Sequence, residues 1–325
     1  MEERLFVSSS PHIRDENTIQ KVMLDVIIAL LPATLGALYY FRINGAKIIF
    51  LSVFTAVVSE AVFQKIRKQP ITINDSSAVV TGLLLAFNMP ASAPWWLPVL
   101  GAIIAIVVVK QFFGGLGHNF MNPALAARII LMVSYTGHMT NWVKPGAKEV
   151  ISTATSGAVD VVSTATPLSF VKGLAEVPEG APKLFDMFIG NIGGCLGETS
   201  AILLILGGIY LIYRGVISIQ VPAIYIATVA VITLIFGRFD VYFMLYHLLA
   251  GGLMLGAIFM ATDYASSPVT PKGRIIFAFG CGVLTSIFRL YGGYSEGVGF
   301  SILLMNIAAP LIEKYTSPKV FGEVK

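Results

Sequence analysis

Apolar residues gather in long runs along this chain, and between the runs the sequence turns polar for only a few positions at a time. Runs suited to hydrocarbon fall at about 22–41, 46–64, 77–89, 95–113, 120–136, 198–213, 219–237, 241–262, 273–290 and 297–314. About 20 helical residues, rising roughly 1.5 Å each, cross the roughly 30 Å core of a bilayer, so the pattern predicts membrane-spanning helices. The run 77–89 is too short for this, and Pro90, Pro94 and Pro98 follow it closely, which predicts a broken or half-helix. Such interruptions are stable at membrane depth only where protein or a water-lined cavity satisfies the freed backbone groups.

The two halves of the chain echo one another. TGLLLAFNMPASAPWW (81–96) and GGLMLGAIFMATDYASSP (251–268) share a small-residue opening, an apolar middle and an exit containing Asn or Asp. GGLGHNFMNPALAARIIL (114–131) and GGYSEGVGFSILLMNIAAP (292–310) each run from a Gly-Gly turn into an apolar helix. An odd number of helices per repeat forces opposite orientations on the two halves. The prediction is an all-α, polytopic membrane protein of about ten transmembrane helices in a 5+5 inverted repeat with broken helices. Its parts are an N-terminal segment (1–21), a first membrane repeat (22–136), a long loop (137–197), a second repeat (198–314) and a C-terminal tail (315–325).

Composition agrees with that solvent. Charged residues make up 12% of the 325 positions, against roughly 25% in soluble domains, and the mean hydropathy is +0.79. The formal net charge of +4 is scattered through short connections rather than gathered in a stripe, which argues against nucleic acid as a partner. With the N-terminus inside, thirteen Lys and Arg residues fall on the inner side and eight on the outer, four of the eight in the long loop. The bias predicts cytoplasmic termini and an extracytoplasmic loop 137–197. The polar N-terminal segment argues against a removed signal peptide. Cys195 and Cys281 are far apart in apolar or Gly-rich sequence, which reads as two small buried residues with no disulfide or metal site.

The long loop is rich in Ser, Thr, Ala, Gly and Pro. Within it, Asp160-Val-Val-Ser163-Thr-Ala165-Thr166-Pro-Leu offers a hydroxyl among small neighbours, with Pro167 holding the preceding backbone extended. Here the chain resembles the D-type component of the Rnf complex and the related B-type component of the sodium-pumping NADH:quinone oxidoreductase. In that family a D-x-x-[ST]-[GS]-A-T motif carries FMN, joined through its phosphate to the final threonine by a dedicated transferase. The resemblance extends over nearly the whole chain. It includes Ser10-Pro11-His12, Gly114 to Asn119 with Asn122-Pro123-Ala124, Gly194 to Ala201, Ala261-Thr262-Asp263, Ser267-Pro268 with Thr270, and Arg289 before Gly292-Gly293. It implies covalent FMN at Thr166, with Asp160, Ser163 and Ala165 as the motif around it. Two departures stand out: Thr164 occupies a Gly or Ser position, and Glu149 to Thr155 forms a near-copy upstream. Thr166 is favoured because Thr155 lacks both the leading aspartate and the following Pro-Leu.

The resemblance further implies an ion-translocating oxidoreductase complex of a prokaryotic cytoplasmic membrane, with electrons passing between ferredoxin and NAD modules and Na+ or H+ moved in step. Partner subunits of the A, B, C, E and G types, with iron-sulfur clusters and another flavin, belong to that picture, as does a second, non-covalent flavin such as riboflavin. Beside it stand a channel or solute transporter of urea-transporter-like architecture, and a scaffold that only anchors redox partners.

Ionisable groups inside apolar runs are functional candidates by default. Asp25, Glu60, Glu198 and Asp263 are the candidates for an ion or redox pathway, and Arg128 also lies within a run. Asp240 and Arg289 sit near run ends and are read as snorkelling groups, as Asp263 also could be. His118 and His247 are read as satisfied helix histidines rather than metal ligands. Gly114, Gly115 and Gly117 suit either a phosphate or flavin cradle or close helix packing. Asp263 and Asn88 occupy corresponding exits of the two repeats and are expected to face one another near the centre.

Overall fold

The computed structural model describes residues 18–143, 145, 166–174, 176–178, 180–198, 200–294 and 296–317. Asp160, Ser163, Ala165 and Thr155 lie outside the described residues, as do most of the two terminal segments. Among the described residues the protein is all-helical, with no β-strand beyond an isolated bridge between Pro90 and Cys195.

Helix α1 (Ile19–Ile66) begins at Thr18, whose hydroxyl accepts the Lys21 amide, and contains the first two apolar runs. The two are separated at Arg42, which has φ 47° and ψ −127°. A Cβ on Gly45 would lie 3.1 Å from the Ala37 carbonyl oxygen. Eight residues of straight helix would separate those positions by about 12 Å, so the chain folds back at Arg42 and the two arms pack together.

Helix α2 (Ser77–Phe87) has 11 residues, the short broken element expected from the sequence. Next come α3 (Trp96–Ile103), which widens into a π-helical stretch at Ile104–Gln111, and α4 (Pro123–Ser134). The connection to the second half contains the short helices α5 (Thr136–Met139), α6 (Pro167–Val171) and α7 (Leu184–Ile189). The second half contains α8 (Ala201–Tyr213), α9 (Gln220–Phe236), α10 (Val241–Leu249), α11 (Leu253–Leu255) with a π-helical stretch at Gly256–Met260, α12 (Pro271–Tyr291) and α13 (Val298–Thr316). The run 241–262, expected as one span, is bent by 66° between Leu249 and Leu253. Gly251 and Gly252 stand at the bend, and Gly251 takes φ +67°, which a side chain with a Cβ rarely adopts.

Three helices are individually long and apolar enough to cross a bilayer, Ile19–Ile66, Pro271–Tyr291 and Val298–Thr316. The bent pair in 241–260 meets the same test when taken together, and five shorter apolar helices accompany them. One core runs through both halves: α1 packs on α2, α12 packs on α9 and α13, and α1 meets α8 across the two. Close approach depends on small residues: a Cβ on Gly207 would stand 2.1 Å from the Ala29 carbonyl oxygen, so α8 meets α1 backbone to backbone. A buried hydroxyl triad joins the second half, with Tyr225 Oη 2.6 Å from Thr285 Oγ1 and 3.0 Å from Ser301 Oγ.

Candidate functional site

A helix of 11 residues that ends in the core leaves carbonyls without helical partners. At the end of α2 these are taken up by the turn that leads from the connection into the second half. Leu196 N donates to Met89 O at 3.0 Å and Gly197 N to Phe87 O at 2.8 Å. Position 197 admits only glycine, because a Cβ there would lie 2.5 Å from the Phe87 Cβ. This pairing brings Cys195 and Glu198 beside Asn88.

Helix α4 supplies the cation of the same junction. Asn122 caps it by accepting the Ala124 and Leu125 amides at 3.1 and 3.2 Å, and Pro123 occupies the first turn, where its missing N–H costs nothing. The cap fixes the helix register, and Arg128 projects into the junction with only 6% of its surface exposed. Its Nη1 donates to Asn88 Oδ1 at 2.6 Å, and its Nη2 pairs with Glu296 Oε2 and approaches Cys195 Sγ at 3.6 Å. Glu198 Oε1 stands 3.7 Å from the same Nη2, within ion-pair range but beyond a hydrogen bond. Glu198 Oε2 accepts the Cys195 amide at 3.4 Å, and Cys195 Sγ donates to the Asn88 carbonyl oxygen at 3.4 Å. Gly252, at the bend between α10 and α11, closes over the cluster: a Cβ there would lie 3.4 Å from Glu198 Oε1. Among the described residues, one oxygen on each glutamate, Glu198 Oε1 and Glu296 Oε1, is buried without a hydrogen-bond partner.

On the side of Asp263, two adjoining cavities open. The smaller, of about 100 Å³, is walled by Ser77, Lys110, Asn119, Asn122 and Asp263 among apolar residues. The larger, of about 710 Å³, is lined by Gly114, Gly115 and Gly117 together with Gln64, Asp75 and Asp263, and has the size of a cofactor site. All three glycines have positive φ, at +118°, +93° and +85°, and nothing stands within 4 Å of a Cβ on Gly117. They turn the backbone at the cavity wall rather than packing helices. Behind this wall Lys110 is buried against Glu60 at 2.9 Å and donates to Ser77 Oγ at 2.6 Å, while Gln111 Nε2 donates to Glu60 Oε1 at 2.6 Å. The π-helical stretch puts Lys110 and Gln111 side by side on this inward face.

The other end of the junction holds Thr166. Its backbone is extended at φ −68° and ψ 153°, it precedes Pro167 at the start of α6, and its side chain makes no capping hydrogen bond. Only 4% of the residue is exposed. Tyr246 donates to the Pro167 carbonyl oxygen at 3.3 Å, and Leu168 packs in a small core with Phe243, Tyr246, Ala250 and Leu290. The missing Cβ of Gly251 would meet Leu168 Cδ1 at 2.7 Å and Arg289 Nη2 at 3.4 Å, so Leu168, in the helix that follows Thr166, and Arg289 approach the same glycine.

Several residues occupy places other than those expected. Asn88 faces Arg128 and Met260 Sδ (3.7 Å), not Asp263. Asp263 lies beyond Met260 on the cavity wall, accepting Ser266 Oγ at 2.9 Å and the Ala265 amide at 3.5 Å, because the chain has already left the helix at Ala261. Arg289 does not snorkel. It is 2% exposed and donates to the carbonyl oxygens of His247 (2.5 Å) and Ala250 (3.0 Å), which the bend after α10 leaves free. His247 is not satisfied through its ring: among the described residues both ring nitrogens lack partners, and the ring packs on Phe243 at 4.5 Å between centroids. Asp25 pairs with Arg214 (3.2 Å) and Tyr210 (2.8 Å), away from the junction and the cavities. Asp240, read as a snorkelling group, instead caps α10 by accepting the Tyr242 amide at 2.8 Å.

Glu296 and Cys195 were not legible as site residues. Glu296 sits in a polar turn between two apolar runs and reads as solvated, and a lone cysteine in a Gly-rich stretch reads as packing. Lys110 read as an inner-side charge at the end of a run, and Gln111 carried no signal.

A sequence model described as the NQR2, RnfD, RnfE family matches residues 6–322. The chain is 52% identical over 323 residues to the D component of the Na+-translocating ferredoxin:NAD+ oxidoreductase complex of Acetobacterium woodii, covering 99% of this chain and 96% of that one. It is 45% identical over 325 residues to the D component of the proton-translocating ferredoxin:NAD+ oxidoreductase complex of Clostridium ljungdahlii, with 97% and 96% covered. To the D component of the ion-translocating oxidoreductase complex of Halorhodospira halophila it is 36% identical over 342 residues, with 98% and 95% covered.

Proposed function

The chain belongs to the NQR2, RnfD, RnfE family, and on that premise we propose that it is the D-type component of an ion-translocating ferredoxin:NAD+ oxidoreductase complex. The observation that carries this reading is the 52% and 45% identity, across nearly the full length of both chains, to proteins so named. Those two names differ in the ion moved, so family membership leaves the coupling ion to the residues of each chain.

In this reading the protein crosses a prokaryotic cytoplasmic membrane about ten times, in a 5+5 inverted repeat with both termini cytoplasmic. It works among partner subunits that carry iron-sulfur clusters and flavin. Support for the repeat comes from the sequence echo and from the helical elements that coincide with the apolar runs. FMN is attached by its phosphate to Thr166. An uncapped hydroxyl on extended backbone ahead of a proline fits ester formation. The residue's burial fits a loop that docks on α10 after a transferase has acted. When bound, the flavin supplies one-electron chemistry, and this chain's own contribution is placement and exclusion of water. A second, non-covalent flavin fits the cavity of about 710 Å³ at Gly114, Gly115 and Gly117, where backbone N–H groups can approach a polar ligand edge.

In-gel flavin fluorescence of the denatured chain tests the assignment. Thr166→Ala should abolish it and Thr155→Ala should leave it. The opposite pattern moves attachment to Thr155, and fluorescence in the double variant removes the covalent assignment. Solute flux through the flavin-free protein would favour the transporter class instead.

A further inference from the structure

The junction between the halves holds more acid than its bonded cation neutralises. Arg128 contacts two glutamates, Glu198 and Glu296, which are 5% and 6% exposed. Each keeps one oxygen, Glu198 Oε1 and Glu296 Oε1, buried and without a hydrogen bond. A bare carboxylate oxygen in such a place is costly, and paired or coordinated groups are the usual remedy. The second cation nearby does not provide it. Arg289 gives Nη1 and Nη2 to the carbonyl oxygens of His247 and Ala250 at the C-terminal end of α10, where the helix dipole favours positive charge.

We propose that Glu198 and Glu296, held by Arg128, form a binding site for one alkali cation taken between one carboxylate oxygen of each. Ligand atoms of Glu198, Glu296 and Cys195 lie within 4.8 Å of one another, so a single ion reaches both carboxylates. Arg128 alone leaves the two glutamates it contacts one positive charge short, which a single monovalent ion supplies. The donors that remain are hard oxygens, which suit an alkali ion. Cys195 acts as a thiol donor to the Asn88 carbonyl oxygen and is not available as the thiolate that a softer metal selects. The site is built from both halves of the chain. Asn88 and Arg128 come from the first, Glu296 from the second and Glu198 from the segment entering it, and Gly252 at the bend closes against Glu198. Movement of either half against the other therefore alters the oxygen pair. The physiological purpose of the site rests on the ion-translocating role proposed above.

The test uses the purified complex containing this protein, with sodium chloride titrated against choline chloride at constant ionic strength and infrared difference spectra recorded. Wild type should show saturable, sodium-dependent carboxylate bands that Glu198→Gln and Glu296→Gln each remove. Glu296→Asp, which keeps the charge while withdrawing the oxygen, should raise the half-saturating sodium concentration several-fold and so answers the question if the amide variants fail to assemble. Sodium bands unchanged in all three variants overturn the site. Bands at these glutamates that follow proton–deuteron exchange and ignore sodium overturn it in favour of a bound proton. Flavin fluorescence at Thr166 is read on the same samples: its absence with the sodium response intact counts against the flavin assignment alone, and its presence with sodium bands unaffected by the variants counts against the cation site alone.

Discussion

Arg128 Nη1 donates to Asn88 Oδ1 at 2.6 Å, so the fourth helix is tied to the broken end of the second by one buried hydrogen bond. Through the same guanidinium Asn88 is joined to Glu296, far along the chain, and Asn88 Nδ2 in turn donates to Leu84 O at 2.7 Å. The end of a half-helix is thereby fixed without continuing the helix.

Removing that guanidinium should be among the most damaging single changes in the chain. Arg128→Met leaves two buried carboxylates and an amide oxygen unpaired, and loss of one partner of a buried ion pair costs about 3–5 kcal/mol. The expected outcome is little folded protein in the membrane fraction, measured by fluorescence-detected size exclusion. A normal, monodisperse yield would show that the cluster contributes little to the fold.

Lys110 and Glu60 form a second buried pair, at 2.9 Å, and should behave as one. Lys110→Met alone leaves Glu60 buried and charged, at a cost of about 3–5 kcal/mol. Adding Glu60→Gln should restore much of the loss, because the double variant carries no unpaired charge. Thermal unfolding midpoints of the two single variants and the double variant measure the coupling, and strictly additive shifts would argue against it.

Gly207 tests the contact between α1 and α8. Its absent Cβ would lie 2.1 Å from the Ala29 carbonyl oxygen, a backbone atom that cannot rotate away. Gly207→Ala should lower stability by about 1–3 kcal/mol through overpacking. An unaltered unfolding midpoint would mean that the two helices separate without penalty.

Asp263 borders both cavities, whereas Thr166 lines neither and precedes α6, whose Leu168 packs against Gly251. Asp263→Asn should lower electron transfer or ion uptake by the assembled complex several-fold, with flavin fluorescence at Thr166 retained. Wild-type turnover in that variant would reduce the carboxylate to a cap of the Asp263–Ser266 turn.

The orientation rests on the distribution of Lys and Arg. A cysteine introduced at Ser156 should react with an impermeant maleimide in intact cells, and labelling only after lysis would reverse the assignment.

Apolar run length by itself determined that this chain is helical and membrane-embedded, because about 20 consecutive apolar residues have no other stable home. It also determined that α2 is short, since the run 77–89, followed closely by proline, cannot continue as a span. The glycine turn was legible for a similar local reason: positive-φ positions are marked by glycine in the sequence itself. The pairing of Arg128 with Glu296, the burial of Lys110 against Glu60, and the separation of Asp263 from Asn88 were decided only by the tertiary structure. Each depends on how two distant helix ends meet across the core. An isolated charged residue reads the same whether the fold leaves it in water or closes a partner over it, and the partner's approach is set by packing such as that at Gly197 and Gly207, which no local pattern encodes.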